Sequence, residues 1–238
     1  MEKLNSLKIK IFADGADENE IIKLNEKDYI KGFTTNPSLM KKANVKNYEI
    51  FAKELLNKIK KKPISFEVFS DELNLMERQA EKIATWGKNV NVKIPITNTK
   101  SISTCEIIKR LSAKGIICNI TAIFTINQLE QVLAVLHKDT PAILSVFAGR
   151  IADAGEDPQN IIVESVKLAK DKPQSEVLWA STRELLNIFQ AEKANCHIIT
   201  VPNNILGKLT LIGKNLEEYS LETVKDFYND AKAAGYDL

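Results

Sequence analysis

Lys93 stands in the run Asn91-Val92-Lys93-Ile94-Pro95-Ile96, a cation flanked on both sides by branched apolar residues. In such a stretch, once buried, the ammonium form loses solvation, which makes the free amine available as a nucleophile. A nucleophilic amine needs proton donors and acceptors, and Asp14 in KIKIFAD (8–14) and Glu67 in ISFEV (64–68) supply two carboxylates near the ends of similar β-branched runs. Hydroxyls and amides recur in the same way: Thr34 and Asn36 in GFTTN, Asn119 and Thr121 in GIICNIT, Ser145 in AILSVFAGR. This set suits imine formation with a ketone or aldehyde. The protonated imine is an electron sink, so a carbon–carbon bond two atoms away can break or form. Asp14 would take the proton of the hydroxyl at the breaking bond. Glu67, through a water held by Thr121, would shuttle protons during imine formation and hydrolysis, and the two carboxylates could exchange roles. Arg150 after SVFAG and Arg183 after WAS offer guanidinium groups to an anionic tail such as phosphate, with Ser181 as a further donor. For either arginine the competing use is a helix-surface ion pair.

Other chemistries are poorly supplied. His137 and His197 are the only histidines, and Cys105, Cys118 and Cys196 lie far apart with no CxxC, so no metal, redox site or cofactor is expected. With no histidine base in view, acid–base work falls to carboxylates, lysine or tyrosine. Lys and Arg total 33 against 31 acids, a net +2 that is too even to imply a nucleic acid or an anionic membrane as partner. The densest basic run, residues 58–62, closes a predicted helix, where cations meet unpaired carbonyls. No stretch approaches the roughly 20 apolar residues of a membrane span. The start, MEKLNSLKIKIFAD, has neither an uninterrupted apolar segment nor a small-residue cleavage site, so nothing signals secretion, and with the three cysteines scattered a reduced cytoplasmic setting is expected.

What must position these side chains is a repeating scaffold. The 238 residues, 44% of them apolar, match the length of one (β/α)₈ barrel with a large core. Strands are predicted at 8–14, 32–36, 64–68, 90–97, 115–121, 142–150, 175–182 and 197–202. Helices are predicted near 18–25, 47–61, 71–86, 101–113, 125–137, 158–171 and 183–193, with two more starting near 203 and 221. Ser70-Asp71 and Asp157-Pro158 read as helix starts, Lys114-Gly115 and Trp86-Gly87 as helix ends. Seven αβ connections among short strands favour a closed parallel barrel in a single domain, 1–238, over a doubly wound open sheet. The latter normally shows a Gly-rich turn after its first strand, where this chain has Asp14-Gly15-Ala16-Asp17.

Strand alternation then sorts the polar residues. Asp14 shares a face with Phe12, Thr34 with Asn36, Glu67 with Ser65, Lys93 with Asn91, Asn119 with Thr121 and Ser145 with Phe147, each opposed by apolar neighbours. Polar groups gathered inside a barrel near the C-terminal strand ends mark an active site in this architecture; buried charges of this kind gain nothing over leucine as pure structure. His197 reads as a packing residue at the barrel bottom and Trp179 as core. Residues 221–235 carry an apolar stripe (Leu221, Val224, Phe227, Tyr228, Ala231) able to cap its own barrel or dock on a neighbour.

Over nearly the whole chain these runs resemble the transaldolase family, including its shorter branch with the fructose-6-phosphate aldolases. GFTTNPS (32–38) and NVKIPIT (91–97) are the specific motifs, and Asn119-Ile-Thr121, Ser145-Val-Phe147-Ala-Gly-Arg150 and Ala180-Ser181-Thr-Arg183 follow in the expected order. The resemblance implies a circularly permuted class I aldolase barrel without cofactor, with Lys93 as the Schiff-base nucleophile and Asp14 as general acid/base. Glu67 and Thr121 would hold the catalytic water. Thr34, in the first motif, joins Asn36, Asn119, Ser145 and Phe147 in lining the donor site; Arg150, Arg183 and Ser181 would bind its phosphate. The implied reaction moves a dihydroxyacetone unit from a ketose phosphate to an aldose phosphate. The aldolase-type alternative releases it, and carries glutamine and tyrosine where this chain has Glu67 and Phe147, so transfer is favoured. Gly15 and Thr182 depart from the family pattern and leave the acceptor, and phosphate versus sulfonate as head group, open. A non-catalytic sugar-phosphate binding protein would keep the arginines but has no need of Lys93, Asp14 and Glu67. The family likeness also implies a homo-oligomer.

Overall fold

In the computed structural model, which describes Leu4 and residues 6–237, eight strands close into a parallel barrel in chain order. They are β1 (Lys10–Asp14), β2 (Ile30–Thr34), β3 (Ile64–Glu67), β4 (Val90–Pro95), β5 (Cys118–Ile123), β6 (Ala142–Val146), β7 (Ser175–Trp179) and β8 (Ile198–Pro202), with β8 pairing back onto β1. Helices cover the outside: α1 (Glu18–Asn25), α2 (Pro37–Lys42), α3 (Tyr48–Lys58), α4 (Leu73–Ala84), α5 (Cys105–Ala113), α6 (Ile126–Val135), α7 (Ala148–Asp153), α8 (Pro158–Ala169), α9 (Leu186–Lys193), α10 (Asn203–Leu206) and α11 (Leu216–Ala233). The (β/α)₈ barrel expected from the sequence is therefore the fold. No helix among the described residues is long and apolar enough to cross a membrane.

The alternation predicted along the strands divides the core in two. Outward residues such as Val92, Ile94, Ile120 and Leu144 join the large cluster under the helices. Inward ones, Phe12, Ile143, Leu178, Ala180 and Ile198, form a separate plug inside the barrel, with Phe147 packed against it. Phe12 fits because β2 carries Gly32 opposite it; a Cβ there would lie 2.5 Å from the ring. The barrel interior is thus apolar below and polar above. Trp179 is buried core. His197, half-buried just before β8, accepts at Nδ1 from the Val177 N–H.

Local chemistry explains where the elements differ from the sequence-based expectation. The stretch 142–150 divides into β6 and α7, because Phe147 N–H closes the ladder on Ile123 O and the next residues turn into a helix. β5 begins at Cys118 rather than 115, since Gly115 (φ 76°) closes α5 in a left-handed turn, with Ile116 N–H bonded to Leu111 O. β7 stops at Trp179, before Ser181 at φ 65°. α2, absent from the expectation, starts where Asn36 Oδ1 accepts from Leu39 N–H and Pro37 occupies the first turn. Asp71 does not cap α4: its carboxylate takes the N–H and hydroxyl of Thr99. α11 starts at Leu216, capped by Asn215, and buries none of its side chains, leaving Val224, Phe227 and Tyr228 exposed.

Candidate active site

The register of three adjacent strands places Glu67, Lys93 and Asn119 side by side (Glu67↔Lys93 on β3–β4, Lys93↔Asn119 on β4–β5). All three have the inward parity, so the lysine is turned into the barrel and is only 7% exposed. Its Nζ lies 3.1 Å from Glu67 Oε2 and donates to Thr35 O at 3.2 Å. A buried ammonium with one carboxylate partner is tolerable, and breaking the pair leaves an uncompensated charge. Beside it Ser145 Oγ donates to Asn119 Oδ1 (2.6 Å) and Asn119 Nδ2 to Ser65 Oγ (3.0 Å), which fixes the amide; its second N–H has no partner among the described residues. Thr121 Oγ1 is buried with no hydrogen-bond partner among the described residues. An unsatisfied buried hydroxyl costs about 1–3 kcal/mol, so its partner is expected to be a water or a ligand.

The end of β3 is held from outside the barrel. Tyr48, at the start of α3, donates to Glu67 O at 2.9 Å and accepts from Glu67 N–H at 2.8 Å. Its ring packs edge-on against Phe66. Burial raises the Tyr48 phenol well above its ordinary range, which keeps the hydroxyl a donor.

Across the mouth, Asp14 Oδ1 accepts from Thr34 Oγ1 at 2.7 Å, and Thr34 Oγ1 is 2.5 Å from Thr200 Oγ1 on β8. Burial raises the Asp14 carboxyl above the usual aspartate value, against the lowering effects of the Lys93 charge and the Thr34 hydrogen bond. Asp14 also borders a cavity of about 400 Å³ with Gly15, Asp17, Glu20, Lys42 and Asn203. Thr34 is therefore committed to Asp14, and Asn36 commits its oxygen to capping α2 while its amide N–H groups stay available.

The two arginines converge at the rim. Gly149, in the first turn of α7, lies so close to the β7 loop that a Cβ would sit 1.6 Å from Ser181 O, and its N–H bonds to Ala180 O. That approach brings Arg150 beside the segment carrying half-buried Ser181 and Arg183. Both guanidiniums are exposed: Arg150 lies over the Phe147 ring (5.7 Å), and Arg183 is paired with Asp153, Nη2 to Oδ2 at 2.5 Å. The ion pair holds the Asp153 carboxyl below its ordinary range, with Arg150 adding to the effect.

The structure thus brings Lys93, Glu67, Asn119, Thr121 and Ser145 together, sets Asp14 and Thr34 opposite, and places Asn36, Phe147, Arg150, Ser181 and Arg183 around the same end of the barrel. Sequence reasoning misses Tyr48, Thr35, Thr200 and Asp153. Only Thr200 has a usable signal, a hydroxyl of inward parity two residues before the end of β8. Among the described residues no three His, Cys, Asp or Glu side chains gather into a group that could hold a metal ion.

The Transaldolase/Fructose-6-phosphate aldolase family model matches residues 11–238. A probable transaldolase of Nitrosopumilus maritimus is 33% identical over 97% of this chain and 99% of its own length. One from Thermoanaerobacter sp. is 34% identical over 94% and 98%, respectively. Among solved structures, KGPDC from Streptococcus mutans superimposes with a TM-score of 0.54, covering 82% of this chain and 88% of that one, at 10% identity; this likeness speaks for the barrel alone. By its sequence over almost its full length, the chain belongs to the transaldolase/fructose-6-phosphate aldolase family.

Proposed function

We propose that the protein is a transaldolase that passes a dihydroxyacetone unit from a ketose phosphate, of the fructose 6-phosphate or sedoheptulose 7-phosphate class, to an aldose phosphate through a Schiff base on Lys93. The observation that carries this reading is the pairing of buried Lys93 with partly buried Glu67 at 3.1 Å inside the barrel mouth. Proton transfer along that contact gives a free amine next to a carboxylic acid. The amine adds to the ketone carbon, Glu67 returns the proton as water leaves, and a water on Thr121 Oγ1 serves the reverse step. Asp14 then takes the proton of the C4 hydroxyl, the C3–C4 bond breaks, and its electron pair passes into the iminium to give an enamine. The first aldehyde departs, the second enters, and Asp14 returns the proton as the new bond forms. Asn36, Asn119 and Ser145 hold the donor hydroxyls, while Arg150, Arg183 and Ser181 take the anionic end.

Phe147 favours transfer over release, because a phenyl ring at the site edge offers no proton to the bound enamine. The test is turnover of fructose 6-phosphate with and without erythrose 4-phosphate. Sedoheptulose 7-phosphate is expected with the acceptor. Without it, glyceraldehyde 3-phosphate release should be at most a few per cent of that rate and should rise several-fold in Phe147→Tyr. Equal turnover in both conditions would make the protein an aldolase instead.

A further inference from the structure

Hydrogen counting along one chain of hydroxyls assigns a role to a residue on β8, a strand that supplies no group to the proposed chemistry. Thr34 has a single hydroxyl hydrogen, and donation to Asp14 Oδ1 at 2.7 Å uses it. The 2.5 Å contact between Thr34 and Thr200 then requires Thr200 to be the donor. The order is fixed as Thr200 to Thr34 to the Asp14 carboxylate, each link polarising the next. Reversal, with a protonated Asp14 donating to Thr34 and Thr34 to Thr200, would leave the Thr200 hydrogen without an acceptor, since its hydroxyl makes no other hydrogen bond among the described residues. Thr200 is 5% exposed and Thr34 2%, so water has little access to either. An unmade bond in such a place is costly.

Resting on the proposed role of Asp14, we propose that Thr200 is a positioning residue that, through Thr34, holds Asp14 as a proton acceptor and so sets the pH at which carbon–carbon cleavage begins. The other groups facing Asp14 are known. Lys93, paired with Glu67, approaches from β4 and favours the carboxylate, whereas burial opposes it. Asp17 and Glu20 of the α1 region, Lys42 of α2 and Asn203 of α10 line the adjoining cavity with Asp14. The hydroxyl chain carries no net charge, so its terminal donor can be removed without adding or deleting a charge at the site.

Thr200→Val keeps the shape and the backbone carbonyl, which accepts from Thr182 Oγ1 at 2.7 Å, and deletes only the terminal donor. The sign follows: without Thr200 donating to it, the Thr34 hydroxyl is a weaker donor to Asp14 and the proton affinity of the carboxylate rises, so the acid limb of kcat/KM for fructose 6-phosphate with erythrose 4-phosphate should move to higher pH, by about 0.5–1 unit. The rate on the high-pH plateau should change less than about threefold. Thr200→Ser restores the donor and should return the limb to the position in the unsubstituted enzyme. A thermal melt of each variant accompanies the profiles, since a purely structural residue would lower Tm without moving the limb. An unmoved limb in Thr200→Val, or equal shifts in the Val and Ser variants, would overturn the proposal. Borohydride trapping on Lys93 separates the two levels of failure. An adduct in the unsubstituted enzyme with an unmoved limb rejects the role of Thr200 alone, and no adduct rejects the Lys93 reading together with it.

Discussion

The inner ring and the rim of the barrel mouth are built on different principles. In the ring, Lys93, Glu67, Asn119 and Ser145 come from consecutive strands, point inward by strand alternation, and are held by contacts of 2.6–3.2 Å to one another or to Thr35 O and Ser65 Oγ. At the rim, Arg150 and Arg183 sit on α7 and the loop after β7, are exposed, and lean on Phe147 and Asp153. A group held by strand register has its geometry set before substrate arrives, and electrostatic interactions there are strong because water is excluded. A surface ion pair such as Arg183–Asp153 contributes little and is weakened by salt. The ring is therefore suited to chemistry that tolerates no misplacement, and the rim to a charge that must bind and leave.

This contrast can be broken by substitution. Glu67→Ala removes the carboxylate facing Lys93 and should lower kcat by about 10²–10⁴-fold with a much smaller change in KM, since proton transfer is lost while the anion contacts stay. Loss of KM alone would place Glu67 outside the chemistry. Arg150→Ala should do the opposite. A guanidinium contact to an anion is worth about 1.5–3 kcal/mol, so KM for fructose 6-phosphate should rise by roughly 10- to 100-fold at nearly constant kcat. Added salt should raise KM in the unsubstituted enzyme more than in this variant. A kcat effect matching that of Glu67→Ala would mean that ring and rim act as one unit.

The same division marks what the sequence made legible. Alternation along KIKIFAD, ISFEV and NVKIPIT sufficed to turn Asp14, Glu67 and Lys93 inward, because a barrel strand offers only two faces. The apolar plug of Phe12, Ile143, Leu178, Ala180 and Ile198 has the same inward parity but was not read from the sequence. Thr34 was legible as a site residue, but its commitment to Asp14 and Thr200 was not, because that contact depends on where β8 returns to β1 and β2. Asp153 as the partner of Arg183, and Tyr48 as the clamp on β3, arise from side chains 30 and 19 residues away in sequence, which no local period reports. The two six-residue helices, α2 and α7, lay in stretches read as strand or loop, because six residues show too little periodicity to outweigh β-branched neighbours.

The most direct measurement is covalent. The protein is incubated with fructose 6-phosphate, reduced with borohydride, digested and mapped by mass spectrometry. The expected result is a reduced sugar adduct on the peptide containing Lys93, absent in Lys93→Met. An unmodified Lys93 in an enzyme that still turns over substrate, or an adduct on another lysine that persists in Lys93→Met, would contradict the Schiff-base mechanism.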